Sequence, residues 1–143
     1  MSNYKTVFFI LGVLQIILGL SMLIPILTQI IYSEIDSSFI GASIISIVFG
    51  VLFFLTNLNH DKRLSLHQAF LLTALSWLSI AVFGSLPFIF SDLELSVTDS
   101  FFESMSGITT TGSTIIPNLE IAQKSILLWR AMLQWLGGIG IIV

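Results

Sequence analysis

The chain has 143 residues, of which 55% are hydrophobic and 9% charged, for a net charge of −3, and its mean hydropathy is +1.02. Soluble domains carry roughly 25% charged residues, so this composition predicts an integral membrane protein of the all-α class. There is no cysteine, which excludes disulfides, thiolate metal sites and a cysteine nucleophile.

Val7 to Tyr32 is the first uncharged apolar run. It exceeds a hydrocarbon core of roughly 30 Å, which predicts a tilt or a kink at Pro25. A signal peptide is the rival reading because Lys5 precedes the run, but h-regions span only about 7–15 residues and no small-x-small cleavage site follows. Gln15 and Gln29 can bond to neighbouring helices, and Gln29 can equally sit at the interface beside Tyr32. A short acidic turn, Ser33 to Ser38, leads into a second uncharged run from Phe39 to Leu58. Its Ala42, Ser46 and Gly50 recur at i, i+4 and i+8, a small-residue stripe that predicts a tight hairpin with the first helix.

Asn59 to His67 carries Asp61, Lys62 and Arg63 beside both histidines. It reads as a solvated loop rather than a metal site. Lys5, Lys62 and Arg63 mark one side and Glu34 and Asp36 the other, so the positive-inside rule predicts a cytoplasmic N-terminus. Gln68 to Phe90 is the third spanning run, with Pro87 near its outer end. Asp92, Glu94 and Asp99 follow and predict an acidic outer vestibule.

Ser96 to Pro117 is the least membrane-like stretch and the most informative. Ser96 reads as a helix N-cap with Asp99 three residues on, a variant of the capping box. The helical pattern runs from Val97 to Ser106, roughly 15 Å, which reaches half-way into a bilayer. Phe101, Phe102 and Met105 are expected to pack against surrounding helices. The helix should stop near Gly107 and give way to extended backbone through Thr109, Thr110, Thr111, Gly112 and Ser113. Irregular backbone at bilayer depth is tolerated only in protein or beside a watery cavity, and rings of carbonyls can replace an ion's hydration shell. Those five residues are therefore the candidate ion-facing set, supported by Gly107 and Glu103. Glu103 either binds ions directly or accepts hydrogen bonds from the returning strand behind the filter. The bland alternative is an extracellular loop with a short interfacial helix. A phosphate-binding loop lacks its lysine. The Asp99/Glu103 pair at i, i+4 has no companion motif that would make it an intramembrane enzyme.

The final run, Ser125 to Val143, contains Arg130, which can snorkel or pair with a nearby acid. Trp129 and Trp135 suit an interfacial entry. Gly137, Gly138 and Gly140 follow no strand, so they read as close-contact or bending positions rather than a dinucleotide fingerprint.

F-F-E-S-M-S-G-I-T-T-T-G-S-T at 101–114, followed by L-L-W-R-A-M-L-Q-W-L-G-G-I-G-I-I-V at 127–143, resembles the membrane subunit of Trk-type potassium-uptake transporters, in the superfamily with the Ktr and HKT proteins. The resemblance implies a two-helix N-terminal region (1–67) and a first pore repeat of potassium-channel type (68–143). That repeat comprises an outer helix 68–90, pore helix 97–106, filter 108–114 and the start of a second helix at 125–143. It places the filter glycine at Gly112, with Thr110 and Thr111 lining the potassium path, and glycine rather than serine there leans towards potassium over sodium. It also implies a longer polypeptide with three further pore repeats, a homodimer, a cytosolic nucleotide-binding regulatory subunit and residence in the bacterial inner membrane. Potassium would be the transported ion, with no nucleic-acid partner and no enzymatic activity. Four copies of this chain forming a symmetric cation channel, or a sodium-permeable member of the superfamily, remain alternatives.

Overall fold

The computed structural model describes residues 4–34 and 36–142, so Ile35 in the acidic turn and Val143 at the end of the expected last helix lie outside the described residues. Among those described, every regular element is helical. Three helical runs, Lys5–Ile31, Ser38–Thr56 and Leu66–Phe90, are long and apolar enough to cross a membrane. Large apolar side chains such as Ile31 and Phe70 point outward at 76% and 74% exposure, as a lipid-facing surface requires.

The first run is bent into α1 (Lys5–Ser21) and α2 (Leu23–Ile31) at Met22. Pro25 is the cause: it has no N–H to offer the Ser21 carbonyl, and its ring crowds that carbonyl. The break therefore shows one turn before the proline. Helix α3 (Ser38–Thr56) returns alongside α1, and the small-residue stripe lies in the seam. Ala42, Ser46 and Gly50 are all buried. A Cβ on Gly12 would lie 2.8 Å from the Gly50 carbonyl oxygen, and one on Gly50 would lie 2.8 Å from the Gly12 oxygen. The two backbones touch there, and Ser43 Oγ adds a 2.8 Å hydrogen bond to the Gly19 carbonyl. Gln15 Nε2 bonds Ser79 Oγ across to the third run. Gln29 is buried against protein at 4% exposure.

The third run begins at Leu66, two residues before the expected Gln68, because Ser65 and Gln68 form a reciprocal capping box. Hydropathy marks where apolar residues start, whereas the cap decides where the helix starts. The run divides into α4 (Leu66–Gly84) and α5 (Leu86–Phe90), with Ser85 at the break and Pro87 just beyond it. Here the Gly84 carbonyl accepts the Trp129 indole N–H at 3.0 Å.

Two contacts sort the ends of the molecule. Thr6 Oγ1 donates to the Asp61 carbonyl at 2.8 Å, so the N-terminus and the 57–65 loop share one end. Glu34 receives hydrogen bonds from the start of the last helix, so the acidic turn and that start share the other. A half-length helix, α6 (Val97–Ile108), enters from this second end, and α7 (Lys124–Ile142) packs along it. The core sits where α2, α3, α5 and α7 meet, around Met22, Phe39, Phe88, Ile126, Trp129 and Leu133. Trp129 corrects an expectation: it is fully buried, edge-on to Phe39 with ring centroids 6.0 Å apart. Trp135, at 78% exposure, faces outward.

Candidate ion-filter segment

Helix α6 is capped as its sequence requires, with the Asp99 N–H donating to Ser96 Oγ at 3.1 Å. An acid in the first turn complements the helix's positive end. The helix is 12 residues long, roughly 18 Å, so it reaches only part of the way across a bilayer. Phe101 and Met105 are half-buried as expected, but Phe102 is not packed within this chain and stays 46% exposed.

The helix does not stop at Gly107. It runs through Gly107 to Ile108, so Ile108 leaves the expected filter strand and joins the helix. Gly107 serves another purpose: a Cβ there would sit 2.9 Å from the Cβ of Leu133 on α7. Its missing side chain permits a helix contact rather than a backbone turn. Gly137 does the same from the opposite side, where a Cβ would fall 1.8 Å from the Ile108 carbonyl oxygen. Gly138 and Gly140 border open space.

The turn itself is made by Thr110, at φ +60°, and two residues later Gly112 sits at φ +77°. Glycine takes this region readily, but a β-branched residue there is strained. The strain is held in place by hydrogen bonds to the end of α6. Thr110 N–H donates to the Gly107 carbonyl at 2.9 Å, and the N–H groups of Thr111 and Gly112 donate to the Ser106 carbonyl at 3.0 and 3.2 Å. All described peptide bonds are trans, and a trans peptide plane directs its carbonyl opposite its N–H. The carbonyls of Thr109, Thr110 and Thr111 therefore point away from their own helix, on a segment exposed from Thr110 to Ile115.

The rest of the segment is tied down more tightly. Ser113 differs from its neighbours: its carbonyl turns back to accept the Ser106 hydroxyl at 2.6 Å. The Thr109 hydroxyl also turns back, donating to the Met105 carbonyl at 2.7 Å and lying 2.9 Å from Thr111 Oγ1.

Glu103 is buried at 1% exposure and occupies the space between strand and helix. One carboxylate oxygen accepts from Thr114 Oγ1 at 2.6 Å, from the Ile115 N–H and from the Ile116 N–H at 3.3 Å. The other pairs with Arg130 Nε on α7 at 3.0 Å. With these partners the carboxylate is directed to the strand and to Arg130. The exposed carbonyl face lies on the other side of the strand.

Three participants escaped the sequence reading. Ser106 and Thr114 lie inside the 101–114 motif, but serine and threonine are too common in such stretches for the pattern to assign either a bonding partner. In the sequence Glu34 reads only as one acid of a short turn. It is instead the carboxylate that receives the first N–H groups of α7, ninety positions away. Asp92 and Glu94 are exposed at the same end. His60 stacks on Phe9 with ring centroids 4.0 Å apart, while His67 is exposed.

Comparison with known proteins gives this geometry a family. A family model described as TrkH, cation transport protein, matches residues 35–143. The Trk system potassium uptake protein TrkI of Halomonas elongata is 44% identical over 135 residues, covering 94% of this chain and 27% of that protein. The Trk system potassium uptake protein TrkH of Escherichia coli K12 is 37% identical over 143 residues, covering 99% of this chain and 30% of its own length. Among solved structures, the crystal structure of the potassium transporter TrkH from Vibrio parahaemolyticus superposes with a TM-score of 0.94 at 36% identity. That match covers 99% of this chain and 31% of that one. The chain thus spans less than a third of the length of the relatives it matches.

Proposed function

The chain belongs to the TrkH family of cation transport proteins, and from that premise we propose that it supplies the first of four filter walls in a potassium-uptake subunit. The wall consists of Thr110, Thr111 and Gly112, flanked by Thr109 and Ser113, with Glu103 and Gly107 behind it. Residues 1–67 form the supporting hairpin and loop, and 68–143 the pore repeat. Potassium is the cargo. It sheds water onto carbonyls whose spacing is fixed, while the membrane potential draws it inward at about 2.3 kcal/mol per charge per 100 mV.

One observation carries this reading. The N–H groups of Thr110, Thr111 and Gly112 are all bonded back to α6, which leaves the carbonyls of Thr109, Thr110 and Thr111 directed to the open side. The Thr110-to-Gly107 and Thr111-to-Ser106 bonds are those of a Schellman helix end, where glycine usually takes the left-handed position; here a β-branched threonine is held there at φ +60°. Of the five residues, Ser113 contributes through anchorage, since its carbonyl is bonded to Ser106. The relatives named as potassium uptake proteins support potassium as the cargo.

Within this reading the remaining walls come from further repeats of the same polypeptide. The subunit pairs with a second copy and works with a cytosolic nucleotide-binding regulator, in the bacterial inner membrane with its N-terminus cytoplasmic. Growth of potassium-uptake-deficient cells on limiting potassium, rescued by the full-length polypeptide, tests it. Thr110→Ala and Thr111→Ala should each abolish rescue or admit sodium at unchanged membrane abundance. Rescue and selectivity that ignore both substitutions would reject the filter assignment.

A further inference from the structure

Both carboxylates of the acidic turn between the first two spanning helices are engaged: Asp36 caps the start of α3 through Ser38, and Glu34 reaches a distant segment. Glu34 is half-buried. Its Oε1 accepts the Lys124 N–H at 2.5 Å, and its Oε2 accepts the Ser125 hydroxyl at 2.6 Å and the Ser125 N–H at 3.3 Å. The first N–H groups of a helix have no partner within the helix, and a carboxylate there gains from the helix dipole as well. Ser125 is fully buried, so water cannot readily replace the carboxylate on its hydroxyl. The turn is itself held to its helix, with Glu34 N–H donating to the Gln29 carbonyl at 2.9 Å.

Helix α7 carries this anchorage to the filter segment. Arg130 stands six residues after Lys124, about 9 Å along the axis. Its Nε holds the Glu103 oxygen that does not serve the strand, and the other oxygen holds Thr114, Ile115 and Ile116. Independently, Trp129 wedges the same turn of α7 against Phe39 of the hairpin and bonds the Gly84 carbonyl. The connection from Glu34 to Thr114 thus runs through two carboxylates joined by one helical turn and a half.

We infer that Glu34 is a positioning residue for ion selection: by fixing the start of α7 it sets where Arg130 holds Glu103, and so the register of the filter strand. This rests on the filter reading above. It assigns the N-terminal hairpin a part in selectivity beyond its part in packing.

The test uses the full-length polypeptide in proteoliposomes, with potassium uptake measured against sodium competition and normalised to reconstituted protein. Glu34→Ala should raise the KM for potassium, by up to about three- to tenfold where the cost of the lost cap falls on the ion-binding geometry. It should also lower potassium-over-sodium discrimination. Glu34→Gln retains an acceptor oxygen but loses the charge, and should fall between. Glu34→Asp should recover part of the loss. A purely structural role would lower protein yield or the fraction of active protein and leave KM and discrimination unchanged. That result in Glu34→Gln, the milder variant, would overturn the inference even if Glu34→Ala fails to accumulate. Thr111→Ala serves as the reference. If it alters discrimination and the Glu34 variants do not, only the positioning role fails. If Thr111→Ala alters nothing, the filter reading fails first.

Discussion

Glu103→Gln is the substitution whose consequences follow most directly from the geometry. The amide keeps one acceptor oxygen for Thr114, Ile115 and Ile116, but turns an N–H group toward Arg130 Nε, donor against donor. Removing one partner of a buried ion pair costs about 3–5 kcal/mol. The Arg130 side chain is 14% exposed, and partial hydration reduces that to about 2–3 kcal/mol. Glu103→Ala goes further. It also removes the carboxylate that accepts the Ile115 N–H, while the Ile116 N–H keeps Thr114 Oγ1 at 3.1 Å, so it should exceed the glutamine variant by about 1 kcal/mol. Adding Arg130→Met to Glu103→Gln removes the opposed donor and should restore part of the loss, because apolar replacement of a whole buried pair is often neutral. Thermal unfolding of the purified full-length polypeptide, read with potassium uptake and sodium competition, supplies the data. Wild-type stability and flux in Glu103→Gln would refute the reasoning, since a carboxylate so placed would then support nothing.

Three further outcomes follow from single contacts. Gly137→Ala should destabilise by at least about 1–3 kcal/mol, the usual cost of overpacking, because its Cβ would meet the Ile108 carbonyl oxygen at 1.8 Å; a drop in unfolding temperature measures it. Trp129→Phe keeps most of the buried volume but leaves the Gly84 carbonyl without its indole donor, and should cost about 1–3 kcal/mol in the same assay. Gly112→Ala places a side chain at φ +77° with only Gln134 Nε2 nearby, at 3.7 Å. Strain of about 1–2 kcal/mol should then appear as weakened potassium selectivity in uptake measurements, with little loss of membrane abundance.

The spans, the small-residue stripe at Ala42, Ser46 and Gly50, and the half-length helix after Ser96 were legible in the sequence because each follows from local pattern. An acid inside that helix marked Glu103, and Pro25 marked the first break. Gly107 misled because glycine has two uses, backbone freedom and close approach. Only the position of Leu133 shows that the second applies here. Thr110 could not be read as the turn residue, since a β-branched side chain rarely takes a left-handed angle and does so here under tension from Gly107 and Ser106. Trp129 was assigned to the membrane interface by composition, yet its indole fills the core and bonds a carbonyl 45 positions away. Glu34 shows the same limit. A contact between distant segments leaves no local signature, however strong it is once folded.

The central claim concerns where the carbonyls of Thr109, Thr110 and Thr111 point and what they meet. Anomalous scattering from rubidium or thallium, potassium surrogates, in crystals of the full-length polypeptide measures that directly. The account predicts ion density within coordination distance of the Thr110 and Thr111 carbonyls, lost on replacement by sodium. Carbonyls of these residues bonded to protein or bulk water, with no ion beside them in either salt, would contradict it.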